Sequence, residues 1–530
     1  MKVPLTPLRF KKRAAKLYGG KIGVVCGDLR FTYSQFDQRT NRLSRALIGL
    51  GVRPGDRVAF LSFNCHRLLE AYYGVVQMGA VLLPLNIRLA PDELAFILND
   101  AEATTLFLDG DFVDLVDSFR NGLNTVKHFV LLDGGVQTDW LMQTTYEDLL
   151  AAVSPEDLPE LAVDEDDVAE LFYTSGTTGD PKGVMLTHRN IYLNAMSVMA
   201  VIPGSDADVQ LHTIPLFHVN GWGTPQTLTC TGATHVMLRR FDPARVLELI
   251  QRERVTRMCL VPTMANALLH YPDLDQYDVS SLTMINLGGA APSVELVQAM
   301  EERFGGEVFT GYGLSETTPI LTLSRLKGHL KTLPRAEKHR RQAMTGLEVP
   351  GVELRVVDEQ GRDVPNDGQH VGEIIVRADV VMKGYWRRPQ ETARVIRDGW
   401  FHTGDMATID EENYVLIVDR KKDLIISGGE NISSIEIEKV LSSHPAVFEC
   451  AVIPVPDEKW GEVPLALVVP AQGQQVCEAD LTEYCRSRLA HFKVPKSIEF
   501  REALPKSGTG KILKRHLKEK FWRGHQKRVH

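Results

Sequence analysis

The stretch YTSGTTGDPKGV, Tyr173 to Val184, sets four hydroxyls (Thr174, Ser175, Thr177, Thr178) among three glycines (Gly176, Gly179, Gly183) and places Lys182 behind Pro181. Glycines let a backbone turn tightly and bring its N–H groups close to a ligand, hydroxyls add donors, and a lysine adds a point charge. A curved anion with many acceptor oxygens, such as pyrophosphate, suits that donor set. The stretch is not a Walker A loop, which carries glycine directly before the lysine and serine or threonine directly after it; here Pro181 and Gly183 hold those positions. It follows VAELFY, which reads as a strand, and precedes VMLTHRNIYLNA, which reads as a helix.

Six further stretches carry reactive residue types: PLFHVNG, NLGGAAP, TGYGLSETTP, GWFHTGD, VDRKKDLIISGGENI and PKSGTGK. Each has an ordinary reading when taken alone. Tyr312 between Gly311 and Gly313, with Glu316 and Thr317 after it, suits a nucleotide loop or a turn that Ser315 caps. Asp405 and Arg420 are types that usually sit in solvent, Lys511 has Lys506, Lys514, Arg515, Lys518 and Lys520 around it, and Trp222 suits a core or a pocket wall.

In this order the seven motifs resemble those of the adenylate-forming superfamily: acyl-CoA synthetases, peptide-synthetase adenylation domains and firefly-type luciferases. The likeness runs over nearly the whole chain. It implies an enzyme that uses ATP, Mg2+ and coenzyme A and joins a carboxylic acid to a thiol through an acyl-adenylate. Under the resemblance Lys511, Glu316, Thr174 and His218 are the catalytic groups. Thr174, Ser175, Gly176, Thr177, Thr178, Gly179 and Lys182 hold phosphates, and Gly289, Ala290, Ala291, Gly311, Tyr312 and Gly313 line the adenine. Thr317 touches the α-phosphate, Glu316 helps hold the metal, and Asp405 and Arg420 hold the ribose. His218, Trp222, Gly223 and Gly288 border the acid, Trp222 in the position of a gate. Lys422 matches the hinge of a mobile C-terminal domain, and Ser427, Gly428 and Gly429 match the wall of the pantetheine tunnel.

PLFHVNGWG has no aspartate to receive a substrate ammonium, and an unpaired buried ammonium is costly, so an amino acid is disfavoured. Free coenzyme A is the expected acceptor and a medium- or long-chain fatty acid the expected substrate. A short or aryl acid, or a luciferase-like oxidation of the same adenylate, remains as the alternative.

These residues need a scaffold. Helical spacing over Phe36–Leu50, Leu68–Met78 and Pro91–Asp100 alternates with the apolar runs RVAFLS, AVLLPL and TTLFL, the pattern of crossover units and a mainly parallel sheet covered on both faces. After Gly346 short alternating strands mark a smaller β-rich region, 346–419. The fold expected is α/β: a large N-terminal domain, 1–419, a hinge at 420–423 and a small mobile α+β domain, 424–530. Leu8–Leu17 reads as a first surface helix. The basic run Arg325–Gln342 reads as a solvated loop or as an attractor for ATP or CoA phosphates.

The chain has 530 residues, 44% of them hydrophobic and 24% charged, and a net charge of -8, which argues against a general nucleic-acid binder. No apolar run approaches the roughly 18 to 20 residues of a membrane span. Seven scattered cysteines without a C-x-x-C pair suggest neither zinc nor a disulfide framework and fit a reducing cytoplasm. A homodimer is compatible with the sequence.

Overall fold

The computed structural model describes residues 1–522 apart from 137, 143, 157, 159–162, 175–180, 422, 429 and 507–511. Among the described residues the strands form four sheets. In the first, six parallel strands run in the order Ile22–Cys26, Thr234–Met237, Val209–His212, Arg257–Leu260, Met284–Leu287 and Glu307–Gly313. Antiparallel strands close its edges. The second sheet has Val168–Thr174, Val81–Pro84, Arg57–Leu61, Ala103–Leu108 and His128–Leu131 in parallel, with Lys182–Thr187 and Gly384–Tyr385 added antiparallel at one side. Helices cover these sheets, and strands buried on both faces explain the near-continuous apolar runs in the sequence.

Local chemistry sets the helix starts. Thr32 and Gln35 form a capping box at Tyr33–Gly49, and Pro91 sits in the first turn of Pro91–Asp100 with Asp92 and Glu93 beside it. The first helix, Leu8–Tyr18, is less of a surface element than its sequence suggests. Phe10 and Ala14 are buried, and so is Lys11, which pairs with Asp37 at 2.8 Å and donates to Thr40, Asn41 and Gln77.

One sequence expectation fails here in an informative way. The run after the glycine-rich stretch does not open a helix; it pairs antiparallel with Val168–Thr174, with Thr174 opposite Lys182. Val184 and Leu186 are buried in alternation, so Lys182–Thr187 pairs as a strand before Thr187 and Asn190 cap the helix His188–Val201. The hydrophobic run was short enough to read either way.

A third, antiparallel sheet contains Val352–Val357, Gly372–Ala378, Trp400–Ile409 and Val415–Arg420. The fourth contains Ile425–Ser427, Val447–Asp457, Gly461–Pro470 and Ser497–Phe500, around a separate core of Ile425, Ile437, Leu441, Val452 and Val468. The third and fourth sheets meet at Asp419. Its buried carboxylate accepts from the Ser434 N–H and hydroxyl, both at 2.6 Å, and from the Arg420 N–H at 2.7 Å. Lys514, on the last described helix, donates to Ser434 and pairs with Glu438 at 2.7 Å.

The basic run is not a free loop. Arg325 pairs with Glu307, Lys327 with Glu412, and Arg341, buried, with Asp410 at 2.8 Å, while Arg335–Gln342 is a helix. Five of its seven cations, Arg325, Lys327, Arg335, Arg340 and Arg341, are ion-paired within the protein.

Phe309 lies fully buried on the strand Glu307–Gly313 within the largest apolar cluster. Phe309→Ala is expected to cost about 3–5 kcal/mol, measured as a lowered urea midpoint of the N-terminal transition. An unchanged midpoint would show that this strand does not organise the core.

Candidate active site

Parallel strands end on a common edge, and ligands in open α/β sheets bind beyond their carboxyl ends. Met284–Leu287 and Glu307–Gly313 are neighbours, so Gly288–Ala291 leaves the sheet beside the strand end Gly311–Gly313. The close packing there demands small residues: a Cβ on Gly313 would fall 1.5 Å from the Pro319 carbonyl oxygen, and one on Gly311 3.0 Å from Asn286 Oδ1. Gly289 and Ala290 are exposed and Ala291 is half-buried.

Tyr312 is held from its hydroxyl, which donates to Asp405 Oδ2 at 2.7 Å. Asp405 Oδ1 faces Arg420 Nε at 3.1 Å, because the register of Trp400–Ile409 against Val415–Arg420 sets these two residues directly opposite one another. Burial opposes the Arg420 charge, yet Asp405 first, then Tyr312, Asp423 and Glu316, raise its pKa above the ordinary guanidinium value. Burial, reinforced by Asp405, likewise pushes the Tyr312 hydroxyl well up, so it stays protonated and donating. Asp405 is 3% exposed and retains acceptor capacity on both oxygens, since a carboxylate has about four lone-pair sites.

A second cluster joins the two parallel sheets. The Tyr385 hydroxyl donates to Glu316 Oε1 at 2.9 Å, and the Met382 N–H donates to the Glu316 carbonyl at 2.8 Å. Tyr385 belongs to the short strand paired with Lys182–Thr187, the Lys182 ammonium sits 5.4 Å from the Tyr385 ring centroid, and Lys182 is ion-paired with Glu391. Burial, followed by Glu316, raises the Tyr385 pKa. Tyr385 and Glu391 were not singled out in the sequence. The aromatic segment KGYWRRPQET was the signal, but nothing local ties it to a glycine-rich stretch some two hundred residues earlier.

The third cluster lies at the end of Val209–His212. His218 is half-buried, and Val219, Asn220, Gly221, Trp222 and Gly223 follow with φ of 39°, 58°, 50°, 61° and 73°, a continuous left-handed turn. Left-handed conformation costs roughly 1–2 kcal/mol for each residue other than glycine. The turn lays the Trp222 indole over Gly288, where a Cβ would meet Trp222 Cη2 at 2.9 Å and the Gly311 carbonyl oxygen at 3.0 Å. A Cβ on Gly223 would strike Asn194 Nδ2 at 2.6 Å, so both glycines expected beside the acid are needed to seat this side chain. Behind the turn, His212 Nε2 and His235 Nδ1 lie 3.0 Å apart, and burial drives the His212 pKa down to about 3 and that of His235 well below its usual value. His212, Gly221, Thr224 and Cys259 line a crevice too tight to admit a water molecule.

Thus Tyr312, Asp405 and Arg420 meet, Glu316 and Lys182 approach a shared partner, and Trp222 meets Gly288. Thr317 does not join them. Its side chain is fully buried, and its hydroxyl donates to the Pro319 carbonyl at 2.7 Å and accepts from the Leu314 N–H at 3.0 Å. Thr174 ends its strand half-buried. Ser427 also ends a strand, and exposed Gly428 packs against Trp460, whose ring a Cβ would approach to 2.6 Å. Ser175, Gly176, Thr177, Thr178, Gly179, Lys422, Gly429 and Lys511 lie outside the described residues. Lys506 and Ile512 form an isolated antiparallel bridge.

A profile of the family described as AMP-binding enzyme matches residues 10–386, and one described as AMP-binding enzyme C-terminal domain matches residues 436–511. The long-chain-fatty-acid–CoA ligase of Thermus thermophilus is 42% identical over 522 residues, 97% of this chain and 95% of that protein. The 4-hydroxybutyrate–CoA ligase 2 of Metallosphaera sedula is 37% identical, over 96% and 93% of the two chains. The crystal structure of the anthranilate CoA ligase AuaEII with anthranoyl-AMP superposes with a TM-score of 0.89 at 28% identity, covering 98% of this chain and 99% of that one.

Asp405→Asn keeps the shape and one acceptor oxygen but removes the charge that Arg420 faces. Titration calorimetry with ATP is expected to show affinity lowered about tenfold or more, the loss typical of a charged hydrogen bond. Unchanged affinity would remove Asp405 from the nucleotide site.

Proposed function

The chain belongs to the AMP-binding enzyme family and is an AMP-forming acid–CoA ligase, and from that premise we propose that it activates a medium- or long-chain fatty acid, with the residues gathered above in defined roles. Joining a carboxylate to a thiol in water is uphill. The carboxylate oxygen therefore attacks the α-phosphorus of ATP, pyrophosphate leaves, and the thiol sulfur of coenzyme A then attacks the acyl carbonyl and expels AMP.

The observation that carries the site assignment is the meeting of Tyr312, Asp405 and Arg420 at the glycine-lined strand ends. A fixed aromatic with a carboxylate below it offers a stacking face for a base and acceptors for ribose hydroxyls. Lys182 and the loop 174–179 supply the donors for the β- and γ-phosphates, and Lys511 neutralises charge on the carboxylate and α-phosphate oxygens as they approach. The chemistry at phosphorus is mostly positioning and charge stabilisation. Mg2+ would suit the Glu316 carboxylate, whose Oε1 accepts from the Tyr385 hydroxyl at 2.9 Å, because it is a hard cation that takes oxygen ligands. Glu316, oriented by Tyr385, is the carboxylate that would hold it. When bound, the ion would draw charge from the phosphate oxygens. Ser427 and Gly428 are assigned to the coenzyme A path.

A fatty acid is favoured by the 42% identical relative and by a tryptophan, rather than an ionised group, across the pocket. A short or aryl acid is the second reading, favoured by relatives that act on 4-hydroxybutyrate and anthranilate. Acid-dependent exchange of labelled pyrophosphate into ATP, over acids from butyrate to palmitate and benzoate to ferulate, decides between them. No exchange with any acid would overturn the reaction proposed.

Two variants sharpen the reading. Lys511→Ala is expected to lower acid-dependent pyrophosphate release by about a hundred- to a thousandfold, roughly 3–4 kcal/mol, while transfer from a supplied acyl-adenylate to coenzyme A survives; equal loss of both steps would refute the role. Trp222→Ala is expected to raise activity on palmitate relative to butyrate, and an unchanged profile would end the gate reading.

A further inference from the structure

We propose that a buried relay, Thr229–His235–His212–Thr224, is the positioning device of the acyl gate: it locks the left-handed turn that lays Trp222 across Gly288, and so sets which acids enter. This rests on the reading of Trp222 as the pocket's gate.

The relay is continuous. Thr229 Oγ1 lies 3.1 Å from His235 Nε2, His235 Nδ1 3.0 Å from His212 Nε2, and His212 Nδ1 3.4 Å from Thr224 Oγ1, which donates to the Gly221 carbonyl at 2.7 Å. Its direction follows from counting protons. Thr224 has one, already given to Gly221, so His212 donates to Thr224 from Nδ1 and presents a bare Nε2. His235 then donates from Nδ1, and its bare Nε2 accepts from Thr229. Both imidazoles are neutral, as complete burial requires.

The last acceptor is the point of the arrangement. Gly221 O belongs to the peptide bond that enters Trp222, and the Thr227 hydroxyl donates at 2.8 Å to Gly223 O, two peptides later. The turn needs such restraint, since Val219, Asn220 and Trp222 all have positive φ. The Asn220 side chain does not supply it: its amide is buried with no hydrogen-bond partner among the described residues. At its base the relay is fixed by Asn64, which donates to the His212 and Ile214 carbonyls at 2.9 and 3.0 Å. Two buried histidines would be an expensive filling if packing were the only need, because an apolar pair fills the same volume without polar groups to satisfy. Among the described residues none of the four hydrogen-bonds or ion-pairs with Tyr312, Asp405 or Arg420, so the effect falls on the acid rather than on ATP.

The test uses the full-length enzyme and pyrophosphate exchange with straight-chain acids from butyrate to palmitate. Thr224→Val keeps the shape and removes both the donor and the acceptor, whereas Thr224→Ser keeps them. Thr224→Val should raise the palmitate-to-butyrate ratio of kcat/KM about tenfold, and Thr224→Ser should stay within about twofold. The KM for ATP should hold in both. Trp222 emission, taken as the difference from the Trp222→Phe partner, should shift to the red in Thr224→Val only. In a Trp222→Ala background Thr224→Val should leave the chain profile where Trp222→Ala put it. Thr229→Ala, at the far end of the relay, provides the same readouts if Thr224→Val does not fold. Equal loss of kcat/KM on every acid, or an unmoved profile and emission while Trp222→Ala does move the profile, would overturn the relay's role. An unmoved profile in Trp222→Ala itself would instead overturn the gate reading beneath it.

Discussion

Strands that run parallel and are joined by crossovers must all finish on one edge, and nearly everything at this site depends on that constraint. It brings the segments after Leu260, Leu287 and Gly313 to one rim of the first sheet and the segment after Thr174 to the matching rim of the second. Neither rim alone is a site. The Tyr385–Glu316 hydrogen bond and the Lys182–Glu391 ion pair join them, through a two-residue strand added to the hairpin that carries Lys182.

The polar groups on the nucleotide side are arranged to stay charged or to stay donating. Asp405 is buried but opposed by Arg420, and the half-buried Tyr312 donates its proton to Asp405. Such preorganised charge is what stabilises a developing phosphoryl transition state without further rearrangement. The proposed second step asks for something different, because a thiol must reach a carbonyl that the first step kept from water. The attachment at Asp419 suits that demand: one buried carboxylate, rather than a broad apolar surface, ties Ser434 and the fourth sheet to the end of the third.

On the acyl side the protein stores strain instead of charge. Five successive residues have positive φ, three of them not glycine, and hydrogen bonds hold the peptide that enters the tryptophan and the one that leaves Gly223. Strain held in place this way gives an apolar side chain a single position, which packing alone rarely guarantees for a residue at the border of a pocket.

The seven ordered motifs, the alternation of apolar runs and helical spacing, and the switch to short strands after Gly346 were legible in the sequence because each is a local pattern with a local physical cause. The strand Lys182–Thr187 was not, since a short apolar run has no period that excludes a helix, and the pairing with Val168–Thr174 that decides it lies across a turn. A hydroxyl in a motif likewise says nothing about which way it points: that of Thr317 donates to the Pro319 carbonyl. Tyr385, Glu391, Asp419, His212 and His235 were passed over, as their partners stand far away in the chain. The sequence by itself determined which chemistry the chain carries, through residue types at fixed spacing. Tertiary structure alone decided which of those residues meet, because register, strand direction and burial are properties of pairs, and a pair distant in the chain leaves no mark on either member.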